Sequence, residues 1–161
     1  MMSKFLDEIR YERFSEEIKN NALYHYDWFI FSPDFKEKYK NLSNIDLVYL
    51  NTNFRTYRQS KDIIQKLENK FKKIKSIGDK ELKFRLPKEN EVKEIIEAVY
   101  QETSNQFYNL GRIIINYSIW LNEERKEGRI LYSKQYHHKN QWLKECIATD
   151  IAYTFLIGEL K

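Results

Sequence analysis

One cysteine, two prolines and four glycines leave this chain short of the material for several kinds of protein. A lone Cys146 forms no internal disulfide and rules out a cysteine-built zinc cluster within one chain. So few turn formers argue against an all-β fold with frequent reversals, and favour long helices joined by few loops. No apolar run reaches the roughly eighteen residues of a membrane span. Asp7, Glu8, Arg10 and Glu12 break up the N-terminal stretch, so no secretory signal is expected and a reducing, cytoplasmic setting is. A glycine-rich phosphate loop, a Gly-x-Ser-x-Gly elbow, a His-Glu-x-x-His pair and an EF-hand loop are all missing. Their absence pushes nucleotide-using enzymes far down the range of functions, and no cofactor is expected.

What remains is ordinary soluble globular material. Hydrophobic residues make up 42% and charged residues 32%, which is too apolar for a disordered chain, and 161 residues suit one domain spanning 1–161. Apolar residues recur at helical spacing through Phe5, Ile9, Ile18, Ala22, Tyr26 and Phe29, predicting one long or broken helix over about 3–30. Ser32-Pro33-Asp34 restarts the chain as N-cap, first helical residue and first-turn acid, for a helix ending near Asn41. Ser43-Asn-Ile-Asp46 resembles a capping box, predicting a helix that runs to about Ser76 and stops at Gly78.

Leu82-Lys-Phe-Arg-Leu86 alternates, so a short extended segment is expected there. Pro87 with Glu89 and Glu91 opens another helix, predicted through Val92, Ile95, Leu110 and Ile114 to Leu121, with Gly128 as its stop. A last helix is predicted from Ser133 to Gly158. Its apolar residues from Cys146 to Leu160 lie all round the wheel, which marks a centrally buried helix. The fold class these spacings predict is all-α: a single antiparallel bundle of about four main helices.

Charge is unevenly placed. The whole chain carries +4, yet Arg55 to Lys75 holds eight cations against Asp62 and Glu68, a surplus of six. On a helical wheel Arg55, Arg58, Lys66 and Lys73 fall opposite the apolar Tyr57, Ile63, Ile64, Leu67 and Phe71. With Lys70, these cations form the expected contact face for a nucleic acid, because lysine and arginine neutralise phosphates. A second contact stretch interleaves Arg129 and Lys134 with Tyr136, His138 and Trp142, whose rings can stack on unpaired bases.

That stretch also raises catalysis. Arg129 with His137 or His138 has the residue types of a metal-independent ribonuclease. Seven residues separate Arg129 from His137, with the expected helix start at Ser133 between them. This departs from the arginine-to-histidine spacing of helical HEPN ribonucleases, and no family is identified. Adjacent His137 and His138 project about 100° apart on a helix, so no metal site is expected. Tyr24, Trp28 and Phe35 belong to an aromatic-rich stretch and are expected to form a protein interface, compatible with homo-oligomer formation. Arg112 and Asp150, each the lone charge in an apolar segment, are expected to pair in the interior.

The function expected from these features is non-enzymatic. The chain reads as an adaptor, inhibitor or small subunit of bacterial or phage type, docking a nucleic acid or nucleoprotein through a basic helix face and exposed aromatics. Two alternatives stand beside it: the ribonuclease just described, and an immunity-type inhibitor that binds only an acidic protein. A macromolecular partner is favoured over a small molecule, and no membrane is involved.

Overall fold

The Val-Tyr-Leu run at 48–50 and the Phe-Leu-Ile run at 155–157 lie in strands, not helices. The computed structural model describes residues 2–21, 28–72, 80–102, 118–122, 129–135, 140–145, 149 and 152–161. Four helices are described: α1 (Met2–Asn21), α2 (Pro33–Lys38), α3 (Tyr57–Phe71) and α4 (Glu89–Glu102), with a 3₁₀ turn at Lys40–Leu42. Seven strands accompany them: β1 (Trp28–Ile30), β2 (Leu47–Arg55), β3 (Leu82–Arg85), β4 (Ser118–Leu121), β5 (Arg129–Gln135), β6 (Asn140–Glu145) and β7 (Ala152–Leu160). This is an α/β fold on one mixed sheet, and it replaces the expected helical bundle.

The sheet runs β1-β2-β7-β4-β5-β6, with β3 also paired to β7. β7 is the centre. β2 lies antiparallel along one edge of it, from Leu47↔Gly158 to Arg55↔Ala152. The other edge is shared: β3 pairs antiparallel with residues 157–160, and β4 meets it in parallel at Ile119↔Tyr153.

Alternating side chains supply two apolar faces. Val48, Leu50, Ile119, Leu121, Phe155 and Ile157 pack with Phe35 of α2 and with Val92, Ile95 and Ala98 of α4. Leu47, Trp120, Ala152 and Leu156 point the other way, against Phe14 and Ile18 of α1 and Tyr57 and Phe71 of α3. A sheet covered on both faces buries its central strand completely, and such a strand reads as a continuous apolar run. That is the physical reason 152–160 reads like part of a buried helix: both structures are apolar on every side.

Several expectations are corrected by this layout. The helix expected over 43–76 is β2 followed by α3, because Leu47-Val-Tyr-Leu is rich in residues that fit a pleated surface. Asp46 caps no helix; its Oδ1 accepts from Lys36 Nζ and its Oδ2 from the Leu160 backbone N–H at 2.6 Å. The helix expected to reach Ile30 ends at Asn21 among the described residues, and 28–30 is β1. The helix from Pro87 does begin at Glu89, but 118–121 is β4. The helix expected from Ser133 to Gly158 falls across β5, β6 and β7.

Gly158, expected to end that helix, instead lies mid-strand. A Cβ there would sit 2.9 Å from Leu47 Cγ and 3.2 Å from Phe84 Cε1, so the glycine lets side chains from both flanking strands cross β7. Two local readings hold. Ser32 caps α2 by accepting from the Phe35 N–H at 3.1 Å with Pro33 at the first position, and 82–85 is a strand.

One polar web ties the strand ends together. Arg85 of β3 donates through Nη1 and Nη2 to both carboxylate oxygens of Glu91 at 2.7 and 2.6 Å, and through Nε to Glu159 of β7 at 2.6 Å. Glu91 also takes the Lys88 backbone N–H at 2.9 Å, so it fixes the first turn of α4 to the sheet. Between sheet and α3, the buried hydroxyls of Ser60 and Thr154 lie 2.6 Å apart.

Candidate nucleic-acid interface

The basic helix is positioned by what precedes it. β2 loses its register with β7 between Asn51 and Arg55, an irregularity that turns the strand end. There the Asn53 N–H donates to Asn51 Oδ1 at 3.0 Å, and Trp120 Nε1 donates to the Arg55 carbonyl at 2.7 Å. Thr56 then starts the helix: its Oγ1 accepts from the Gln59 N–H at 3.2 Å, while Gln59 Oε1 takes the Thr56 N–H at 2.9 Å. This reciprocal cap contributes about 1 kcal/mol to helix stability.

α3 buries Tyr57, Ser60 and Phe71 and half-buries Ile63, Ile64 and Leu67. Its other face is wet. Arg58, Lys61, Lys66 and Lys70 are exposed along it, and Lys72 follows at its end. None of these five cations forms an ion pair among the described residues. Lys61 lies over the Tyr57 ring at 4.9 Å and Lys70 over the Phe71 ring at 6.0 Å, contacts that leave both ammonium groups in solvent.

The two acids of α3 differ. Glu68 is partly buried and lies 4.0 Å from Lys83 of β3, so Asp62 is the one exposed acid on the helix. Lys83 also pairs with Glu81 at 3.1 Å. Their hydrogen bond and mutual attraction lower the Glu81 carboxyl and raise the Lys83 ammonium, keeping both charged. Arg55, at the helix entrance, is half-buried, and its Nε has no hydrogen-bond partner among the described residues.

Of the residues expected to contact a nucleic acid, Arg55, Arg58, Lys66 and Lys70 are thus brought together on α3 and its entrance. Lys73 lies outside the described residues. Lys61 and Lys72 join the same surface, and the wheel that placed Arg58 and Lys66 could have added them.

The second stretch lies in strands. Arg129 and Lys134 are on β5 and Trp142 is on β6, antiparallel through Tyr132↔Trp142 and Gln135↔Asn140. The corner between helices expected there is therefore a pair of strands. Tyr136, His137 and His138, with His25, Tyr24, Arg112, Cys146 and Asp150, lie outside the described residues. The expected Arg112–Asp150 pair lies there with them, as do both histidines of the ribonuclease arrangement, of which only Arg129 is described.

The aromatic interface is corrected. Trp28 is 8% exposed and Phe35 6%, so both are core residues. Trp28 stacks on Tyr49 with ring centroids 4.3 Å apart, and Phe35 on Phe31 at 4.4 Å. Burial of such rings is what a dense aromatic stretch most often serves. The ion webs of Arg85 and Asp46, both outside the expected sites, link residues up to 114 positions apart and leave no local signature.

By its fold the chain is an α/β protein with helices on both faces of a mostly antiparallel sheet; by its surface it presents one basic helix. No family model, curated protein or solved structure matches it. Among the described residues, no helix is long and apolar enough to cross a membrane, and no three His, Cys, Asp or Glu side chains group to hold a metal ion.

Proposed function

We propose that this chain is a non-enzymatic α/β binding protein that docks a nucleic acid or nucleoprotein through the wet face of α3. The observation that carries this reading is the row of five exposed cations, Arg58 to Lys72, held on a capped helix without ion pairs among the described residues. A helix of 15 residues is about 22 Å long, the span of about six phosphates along one strand. Unpaired ammonium and guanidinium groups at that spacing gain free energy by releasing counterions from a phosphate backbone. The reading assigns no catalytic step and no base-specific contact.

Anisotropy of labelled single- and double-stranded RNA and DNA tests it. With about four phosphate contacts, raising salt from about 50 to about 200 mM weakens binding by roughly 50- to 150-fold. Binding absent at the lower salt, or indifferent to salt, overturns the proposal.

A further inference from the structure

A second charged region lies away from the wet face of α3. Where α1, α2 and the segments entering β2 and β3 meet, a cavity of about 320 Å³ is lined by Arg10, Lys36, Lys80, Asp46, Tyr11 and Phe31, among others. That volume sits at the small end of ligand sites. We infer that this cavity binds a nucleoside monophosphate, its phosphate held by Arg10 and Lys80 and its base lying against the Tyr11 ring.

The charge argument comes first. Among the described lining residues, three cations face one carboxylate, a surplus of two. Asp46 repels little, because Lys36 Nζ occupies its Oδ1 and the Leu160 N–H its Oδ2. Lys36 is correspondingly tied to the fold. Arg10 and Lys80 are exposed at the rim, and neither forms an ion pair among the described residues. A phosphomonoester carries about −1.5 to −2 at neutral pH, which matches that surplus. The planar arginine fork suits two phosphate oxygens at once, while lysine serves as a point charge.

Tyr11 supplies the other half. It is half-buried and lines the cavity, so its ring offers apolar surface beside the cations, whereas Phe31 is 2% exposed and packed on Phe35 in the core. Stacking on such a ring is available to any base. Phosphate capture here uses side chains, so the shortage of glycine loops does not oppose it. The inference stands on residues other than those of α3 and survives or fails separately from the proposed docking function.

Calorimetric titration of the full chain with AMP, adenosine and inorganic phosphate tests it. AMP is expected to bind at least about tenfold more tightly than either fragment, since each fragment lacks one half of the contacts. Arg10→Ala and Lys80→Ala are each expected to weaken AMP by about tenfold with unchanged circular dichroism. The α3 variant Arg58→Glu/Lys66→Glu/Lys70→Glu is expected to bind AMP like the wild type. No AMP binding at about 10 mM, or AMP no tighter than inorganic phosphate, overturns the inference. So does AMP binding that ignores Arg10 and Lys80, or binding lost in the α3 variant, which would put the nucleotide on α3.

Discussion

β7 and α3 treat their charges in opposite ways. β7 buries eight of its nine residues, and its single charge, Glu159, is bonded to Arg85, which also grips Glu91. α3 buries three of fifteen residues and leaves Arg58, Lys61, Lys66 and Lys70 in water without ion pairs among the described residues. A charge that the fold uses is found with its partners satisfied, because an unpaired charge in low dielectric is costly. A charge that the fold does not use costs almost nothing at the surface and remains available to a partner. The difference separates cations that the fold uses from cations that it leaves in solvent.

Substitutions at the two elements should therefore differ in kind. The largest effect is expected for Arg85→Ala, which leaves Glu91 and Glu159 partly buried with no guanidinium between them. Stability should fall by about 2–4 kcal/mol in urea unfolding. A loss below about 0.5 kcal/mol would show that the web is no more structural than the surface of α3. Gly158→Ala comes next. Its methyl would lie 2.9 Å from Leu47 Cγ in a fully buried setting, and overpacking of that kind costs about 1–3 kcal/mol. A neutral or stabilising result would contradict the close approach of Leu47 and Phe84 to the central strand.

Acid should sharpen the contrast. Burial pushes the Glu91 carboxyl up, but the Arg85 hydrogen bonds, the Lys88 N–H and both positive charges outweigh it and hold it below its ordinary value of 4.5. A carboxyl depressed in the folded state stabilises fully above its unfolded pKa, and that contribution is lost as pH falls through the lower, folded value. Between neutral pH and about pH 3 the wild type should lose more stability than Glu91→Gln, measured by denaturant midpoints. Parallel losses would remove Glu91 from the web. The smallest effect on stability belongs to Arg58→Glu/Lys66→Glu/Lys70→Glu, expected within about 0.5 kcal/mol of wild type.

The same contrast explains what could be read from the sequence. α3 was legible from Tyr57 to Phe71 because one side is wet: Ile63, Ile64, Leu67 and Phe71 alternate with cations at a helical period. Ser32-Pro33 and the alternation at 82–85 were legible for the same local reasons. β7 was not. With both faces covered, Phe155-Leu-Ile157 has no polar interruption from which a period of two could be counted. Gly158 misled because its small size answers to Leu47 and Phe84, far away in sequence. Asp46 misled similarly, since its partners Lys36 and Leu160 lie 10 and 114 positions away. Of the candidate interface, the face of α3 was readable, whereas the burial of Trp28 and Phe35 depended on a sheet the spacing did not reveal.

The most direct test compares the wild type with Arg58→Glu/Lys66→Glu/Lys70→Glu in nucleic-acid binding across a salt series, alongside urea unfolding of both. Equal unfolding midpoints are expected, with affinity reduced by about 100-fold or more at about 50 mM salt and a salt slope shallower by about three contacts' worth. Equal affinity and equal slope in a variant that folds like the wild type would contradict docking through α3.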